Sequence, residues 1–413
     1  MQIVKRAIQK IGILIALNII YLLFLSGCFL IPTAPIVKNV EKSLDIWVDV
    51  QEGTDTPIFD KTNTLYWDSY SDMIWANMVT VSGKNPIIQA IKLEYYSGND
   101  APWANLVAAV YYRDSAPKQN YSRYWNINVG VLKILFSFLS LSEIRFLIYW
   151  IVTGLLFFLI YRISKFQGVY GCLPLIVAFM MTLLELHAIC LSFVGDILVT
   201  LVFMIILTYI CSDKIKNTVH RVSLLFMIMG SMIYAVGPLV APVLSVGMCL
   251  VLWIQLENRN VDKNMLWRQI VLNTFWWIMG YGCTMILKQL LSKIVIGKQD
   301  GTEEALMWFG INMGIQDRLD VLGEKLIRCL TPMKIKLPIF FIFIGILIFL
   351  SVRYNCKSSK TIPLVFISIY PVLWVMIVSR HSIHSFTSSI FAVLFYALIS
   401  NLMNHISYKE HKY

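Results

Sequence analysis

Two carboxylates four residues apart, Asp68 and Asp72, stand in the stretch Tyr66-Trp67-Asp68-Ser69-Tyr70-Ser71-Asp72. If that stretch is helical, the spacing projects both from one face. One could then act as a general base on an acceptor hydroxyl while the other positions the acceptor or a cation. The competing reading is structural: both are solvated, or one caps a helix running through Trp75-Ala76-Asn77-Met78. A second group suits an anion. Arg123, beside Tyr124 and Trp125, offers a planar fork of donors matched to a phosphate, or serves as an ordinary interfacial anchor with its aromatic neighbours. Further basic candidates are Arg113, Lys118, Lys133, Arg145, Arg318, Arg328 and Arg380. A third cluster is Arg380-His381-Ser382-Ile383-His384-Ser385-Phe386-Thr387. Its histidines could contact phosphate or the acceptor, or carry a proton, and the competing reading is a solvated helix end. The spacing of His381 and His384 also suits a metal, but no carboxylate adjoins them and no metal site is predicted. Glu185, His187 and Asp196 are further polar groups near the ends of apolar runs, where a charge is expensive and points to function, although Asp196 is close enough to the interface to reach water and Glu185 and His187 also fit a solvated turn.

Those residues must be positioned by membrane helices. Hydrophobic residues make up 58% of the chain and charged ones 14%, with mean hydropathy +0.68, which excludes an ordinary soluble domain. Segments near the twenty-residue length of a crossing recur at 11–31, 144–162, 168–184, 192–211, 222–238, 240–256, 270–287, 337–352, 361–379 and 388–404. This reads as an all-α polytopic membrane protein of about ten transmembrane helices. Lys5, Arg6 and Lys10 precede the first span, and Arg162/Lys165, Lys214/Lys216/Arg221, Arg259/Lys263/Arg268 and Arg353/Lys357/Lys360 follow the even-numbered ones up to the eighth. By the positive-inside rule both termini are cytoplasmic. The net charge of +11 largely sets orientation and meets anionic lipid, and no separate basic module with interleaved aromatics suggests nucleic acid.

Between the first two spans lies a long insert, roughly Pro32 to Asn128, on the outer face. It carries Trp47, Phe59, Tyr66, Trp67, Tyr70, Trp75, Tyr95, Tyr96 and Trp103. Disordered linkers are poor in such residues, so the insert should fold. The apolar stretch Val129–Leu141, interrupted by Lys133, reads as an interfacial or re-entrant helix with its apolar face on the outer leaflet. In a second outer segment, the periodicity from Asp317 to Leu330 predicts another helix, lying on the membrane or against the first outer loop. The organisation is therefore 1–31 first span, 32–143 extracytoplasmic loop with interfacial helix, 144–287 transmembrane bundle, 288–336 second extracytoplasmic segment, and 337–413 C-terminal spans with a cytoplasmic tail. None of the eight cysteines lies in the insert, so disulfides do not staple it. Leu25-Ser26-Gly27-Cys28 resembles a lipoprotein processing box, but the apolar run continues through Phe29-Leu30-Ile31, which favours an intact span.

One span, a long outer loop with an acidic motif, a surface helix and many further spans resemble the GT-C-fold membrane glycosyltransferases. Trp67-Asp68-Ser69-Tyr70-Ser71-Asp72, Tyr121-Ser122-Arg123-Tyr124-Trp125 and His381-Ser382-Ile383-His384-Ser385-Phe386-Thr387 narrow the likeness to bacterial GT-C-like proteins linked to surface polysaccharide. The resemblance implies inverting transfer of a sugar from a polyprenyl-phosphate donor to a glycan or lipid-linked acceptor. Asp68 or Asp72 would be the base, with later basic residues on the donor phosphate. It implies a multi-pass bacterial cell-membrane protein and no required cofactor, a divalent cation being an option. The alternatives are a flippase or carrier for lipid-linked sugars, and a non-catalytic subunit of a glycan assembly complex.

Overall fold

The long apolar runs fold as long helices. The computed structural model describes residues 2–50, 56–57, 66–67, 69–99, 101–113, 115–184, 189–212, 218–237, 239, 241–257, 262–297, 313–330, 342, 345–346, 349, 359–379 and 385–410. Among them, five helical stretches are long and apolar enough to cross a membrane: Ile8–Cys28, Leu141–Gln167, Val194–Cys211, Val219–Val236 and Lys263–Ile296. They belong to α1 (Gln2–Cys28), α7 (Leu141–Gln167), α9 (Val194–Ser212), α10 (Thr218–Val236) and α12 (Lys263–Ile296). Two of them present broad apolar faces outward. Ile11, Ile15, Ile19 and Leu23 on α1, and Phe146, Trp150, Phe157 and Phe158 on α7, are exposed, which water would penalise and lipid favours. The chain is a helical membrane protein.

Shorter apolar helices fill the interior. They are α8 (Leu173–Thr182), α11 (Pro242–Leu256), α14 (Thr361–Ser368) and α15 (Tyr370–Ile377), with the apolar part of α16 (Ala392–Glu410). The buried positions of α11 run from Pro242 to Gln255 without a break, the mark of a helix surrounded by protein on every side. Most of the 337–352 segment lies outside the described residues.

Helices α10 and α12 cross at van der Waals contact because each offers a glycine there. A Cβ on Gly230 would stand 2.1 Å from the Trp277 carbonyl oxygen, and one on Gly280 would stand 1.9 Å from that of Met227. Only hydrogen fits at either point.

The insert folds as short helices: α2 (Thr33–Glu41), α3 (Ser69–Thr80), α4 (Pro86–Lys92), α5 (Pro102–Tyr111) and α6 (Ile127–Phe136). Two antiparallel pairs of two-residue strands accompany them. β1 (Thr56–Pro57) lies against β2 (Tyr66–Trp67), with Thr56 opposite Trp67. β3 (Tyr95–Tyr96) lies against β4 (Lys118–Gln119), with Tyr95 opposite Gln119. Local chemistry sets several boundaries. Asn85 caps α4, its Oδ1 accepting from the Ile87 and Ile88 N–H groups at 3.0 and 3.2 Å, and Pro86 occupies the first turn, where a missing N–H costs nothing. Glu143 reaches back to the Ser140 N–H at 2.7 Å to start α7. The domain is not tethered loosely, since one apolar core runs from Trp47, Met73, Trp125 and Phe136 into Ile144, Phe193 and Trp253 of the bundle.

Hydrogen bonds mark the two ends of the bundle. At the end carrying the insert, the Asn128 amide donates to the Val236 carbonyl at 3.0 Å. At the opposite end, Lys10 meets Ser223 at 3.1 Å, Arg162 meets Thr208 at 3.2 Å, and Gln255 meets Ser400 at 2.7 Å.

Where an interfacial or re-entrant helix is expected over Val129–Leu141, a helix is present over Ile127–Phe136 as α6, and Lys133 does not interrupt it. Lys133 is fully buried and donates to the Val79 and Val81 carbonyls at 2.8 and 3.2 Å. The helix therefore turns its charge inward onto α3. The helix expected from Asp317 to Leu330 is α13 (Ile315–Leu330). It rests on α15 and on the 3-10 segment Ser385–Phe391, with the Arg318 guanidinium donating to the Met376 carbonyl and, at 3.1 Å, to Ser379.

Candidate functional site at the junction of insert and bundle

Helix α3 carries the described half of the acidic pair. Asp72 lies in its first turn and is fully buried. Its Oδ2 accepts from Arg145 Nη2 of α7 at 2.7 Å, and its Oδ1 accepts from the Leu191 backbone N–H at 2.8 Å. Burying a carboxylate is costly unless it is paired and hydrogen-bonded. Both conditions are met here, so Asp72 locks the insert to the start of α7 and to the turn leading into α9.

The far end of α3 is held by cations. Its last carbonyls would otherwise lack partners, and they receive Lys133 as described, together with Arg113, whose guanidinium donates to the Thr80 carbonyl and to Thr33 Oγ1, both at 3.1 Å. Positive charge at a helix C-terminus also complements the backbone dipole. Burial pushes the Lys133 ammonium down to about 8 from 10.5, with nearby Cys28 opposing and Arg113 adding to the shift.

Asp68 lies outside the described residues, between β2 and α3. So do Glu185 and His187, and Arg380, His381 and His384. Their described flanks converge. Strand β2, which ends one residue before Asp68, touches the segment Ser385–Phe391, which begins one residue after His384. Leu191, four residues beyond His187, is the residue bonded to Asp72.

Arg123, Tyr124 and Trp125 form a buried wedge. The Arg123 guanidinium stacks on Tyr121 at 4.1 Å and reaches Tyr124 at 5.2 Å. Its carbonyl accepts from the Tyr234 hydroxyl and the Gln289 amide, both at 2.8 Å. Trp125 is 1% exposed, donates its indole N–H to Asn18 at 2.9 Å and lies beneath Lys288 Nζ at 4.7 Å. Lys288 in turn donates to the Ile91 carbonyl at 2.7 Å. The wedge joins the insert to α1, α10 and α12 rather than anchoring in lipid.

Asp196 is fully buried in the first turn of α9. Its Oδ2 accepts from the Ala241 N–H at 3.1 Å, while its Oδ1 has no hydrogen-bond partner among the described residues. A Cβ on Gly237 would press within 2.7 Å of Oδ2, so the carboxylate packs flat against that glycine. Among the described residues no group of three or more His, Cys, Asp or Glu side chains gathers as a metal site.

Sequence reasoning did not pair Asp72 with Arg145 or find the roles of Lys133, Arg113 and Lys288. The signal available was charge within or beside apolar runs, which requires a partner without saying which. Compared with known proteins, the chain matches no family model, no curated protein and no solved structure.

Proposed function

We propose that the protein is a membrane-embedded glycosyltransferase of GT-C type, moving a sugar from a polyprenyl-phosphate donor to a glycan or lipid-linked acceptor at the outer face of a bacterial cell membrane. The observation that carries this reading is the contact of β2 with the segment Ser385–Phe391. It brings the chain that ends one residue before Asp68 against the chain that begins one residue after His384, which supports a site shared by the acidic group and the basic cluster. A transferase at a lipid-water boundary needs that pairing, with a base for the acceptor and cations for the departing phosphate.

In this proposal the acceptor hydroxyl oxygen attacks the anomeric carbon as the bond from that carbon to the phosphate oxygen breaks. Asp68 takes the hydroxyl proton, and the polyprenyl phosphate leaves with its charge held by Arg380, His381 and His384. Asp72 takes the positioning role, because its fully buried carboxylate is already committed to the Arg145 guanidinium and the Leu191 N–H. Glu185 and His187 enter as acceptor contacts, since they shortly precede in sequence Leu191, whose N–H is bonded to Asp72. Ten crossings with both termini cytoplasmic complete the reading, and α8 and α11 are the shorter crossings.

The test is glycan and lipid-linked sugar profiling of cells producing the wild type or Asp68→Asn at equal membrane abundance. Loss of a glycan substituent with accumulation of its lipid-linked donor is the expected result. An unchanged profile removes Asp68 from the chemistry and leaves transport or scaffolding in its place.

A further inference from the structure

The face of α3 opposite Asp72 lines an open cleft of about 230 Å³. Tyr70, Ile74 and Asn77 recur at helical spacing and share that face, while Asp72 points the other way into the bundle. Across the cleft stand Tyr95, Ser97, Asn99 and Asn105. We propose that this cleft binds a neutral sugar unit of a glycan.

Three observations support that ligand class. Apart from Ile74 and Pro102, the lining is aromatic, amide and hydroxyl, and none of its described residues is charged on a chain of net charge +11. A phosphate or an acidic sugar would meet no cation among the described lining residues, and a purely apolar ligand would strand the amides unpaired. Tyrosine, asparagine and serine together give a rigid amphipathic surface and adaptable hydrogen bonding, which suits a ring with both C–H faces and hydroxyl edges. The volume is below the roughly 300–1,000 Å³ of pockets that enclose drug-sized ligands, consistent with a single ring in a half-open groove.

The cleft is also fixed in advance. Asn77 Nδ2 donates to the Tyr96 carbonyl at 2.9 Å and its Oδ1 accepts from the Tyr96 N–H at 2.8 Å. Asn105 Oδ1 accepts from the Gly98 and Asn99 N–H groups, both at 2.9 Å, and its Nδ2 donates to the Asn99 carbonyl at 2.8 Å. Gln119 Oε1 accepts from Tyr95 and Ser97 at 2.9 and 3.1 Å. Each asparagine keeps at least one N–H beyond these bonds, and Asn99 is exposed. Walls held in this way lose little entropy on binding.

This inference stands apart from the transfer chemistry, so the experiment separates the two. Full-length protein in nanodiscs is titrated, with saturation-transfer NMR as readout, against methyl glycosides of glucose, galactose, mannose, rhamnose and N-acetylglucosamine, and against glucose 1-phosphate. At least one neutral glycoside should bind saturably. Tyr70→Ala and Asn99→Ala, checked for unchanged thermal stability, should each weaken it about tenfold, the scale of losing one anchoring contact, while Asp68→Asn leaves it intact. The proposal is overturned if no neutral glycoside binds saturably, if both variants bind as the wild type does, or if glucose 1-phosphate binds more tightly.

Discussion

Arg145 and Lys133, charged groups in or beside apolar helices, both act on α3, and their removal should register as lost stability before lost activity. Arg145→Met leaves the fully buried Asp72 carboxylate without its cation, a change that typically costs about 3–5 kcal/mol. Asp72→Asn/Arg145→Met, which removes both charges, should recover part of that loss. Thermal unfolding of the wild type, Arg145→Met, Asp72→Asn and the double variant in detergent gives the coupling directly, and a coupling near zero would show that the ion pair does not hold the junction. For the same reason a loss of activity in Asp72→Asn alone cannot be read as loss of a base, and Asp68→Asn is the cleaner probe. Lys133→Met strips two carbonyls of their donor and should cost about 1–3 kcal/mol near neutral pH. Its pH dependence has a definite sign. The native ammonium is pushed down to about 8 by burial while the unfolded one keeps 10.5, so between those values the unfolded chain binds the extra proton and stability rises with pH. The margin of the wild type over Lys133→Met should widen from pH 8 to 10.5. A margin that stays flat or shrinks would mean that Lys133 is not buried as a cation.

Among the elements, legibility followed the range of the interaction. The five long helices and α13 were predictable from composition and local periodicity, which act within a turn or two of helix. Helix α6 was only half readable, because the carbonyls that receive Lys133 lie 54 and 52 residues earlier in the chain. The expectation that Arg123, Tyr124 and Trp125 could meet lipid at the interface had the same weakness, since Asn18 and Tyr234, which enclose them, are each more than 100 residues away. The α10–α12 crossing was not legible at all, since nothing local relates Gly230 to Gly280. It makes a sharp prediction. Gly280→Ala drives a methyl into the Met227 carbonyl and should cost about 1–3 kcal/mol or more as the helices separate. Gly282→Ala, two residues along the same helix with nothing within 4 Å of the new Cβ, should be neutral or stabilising by up to about 1 kcal/mol. Equal melting temperatures for the two variants would show that the helices do not meet at Gly280.

At the scale of the whole molecule, the shorter helices decide how the chain is threaded. At 1.5 Å per residue the fifteen residues of α11 extend only about 22 Å, less than the roughly 30 Å of hydrocarbon, so length alone leaves its crossing open. The hydrogen bonds supply what length does not. The chain leaves α7 at Gln167, which meets the Gln255 carbonyl at 2.6 Å, and re-enters α9 beside Leu191, which meets Asp72. It therefore travels from the end opposite the insert to the end that carries it, with α8 between. The same logic takes α11 from Ala241 beside Asp196 to Gln255 beside Ser400. An enclosed helix needs no full hydrocarbon length, because protein rather than lipid satisfies its ends. Counting only the five long helices as crossings puts the start of α10 on the same face as the insert, whereas counting α8 puts it on the other. Arg221 and Lys84 are both exposed and distinguish the two. A membrane-impermeant maleimide applied to intact cells should label Lys84→Cys and spare Arg221→Cys until the membrane is permeabilised, with the unsubstituted chain as background. Labelling of both in intact cells would remove α8 as a crossing, put the basic Lys214–Arg221 connection on the outer face, and invert every later helix with it.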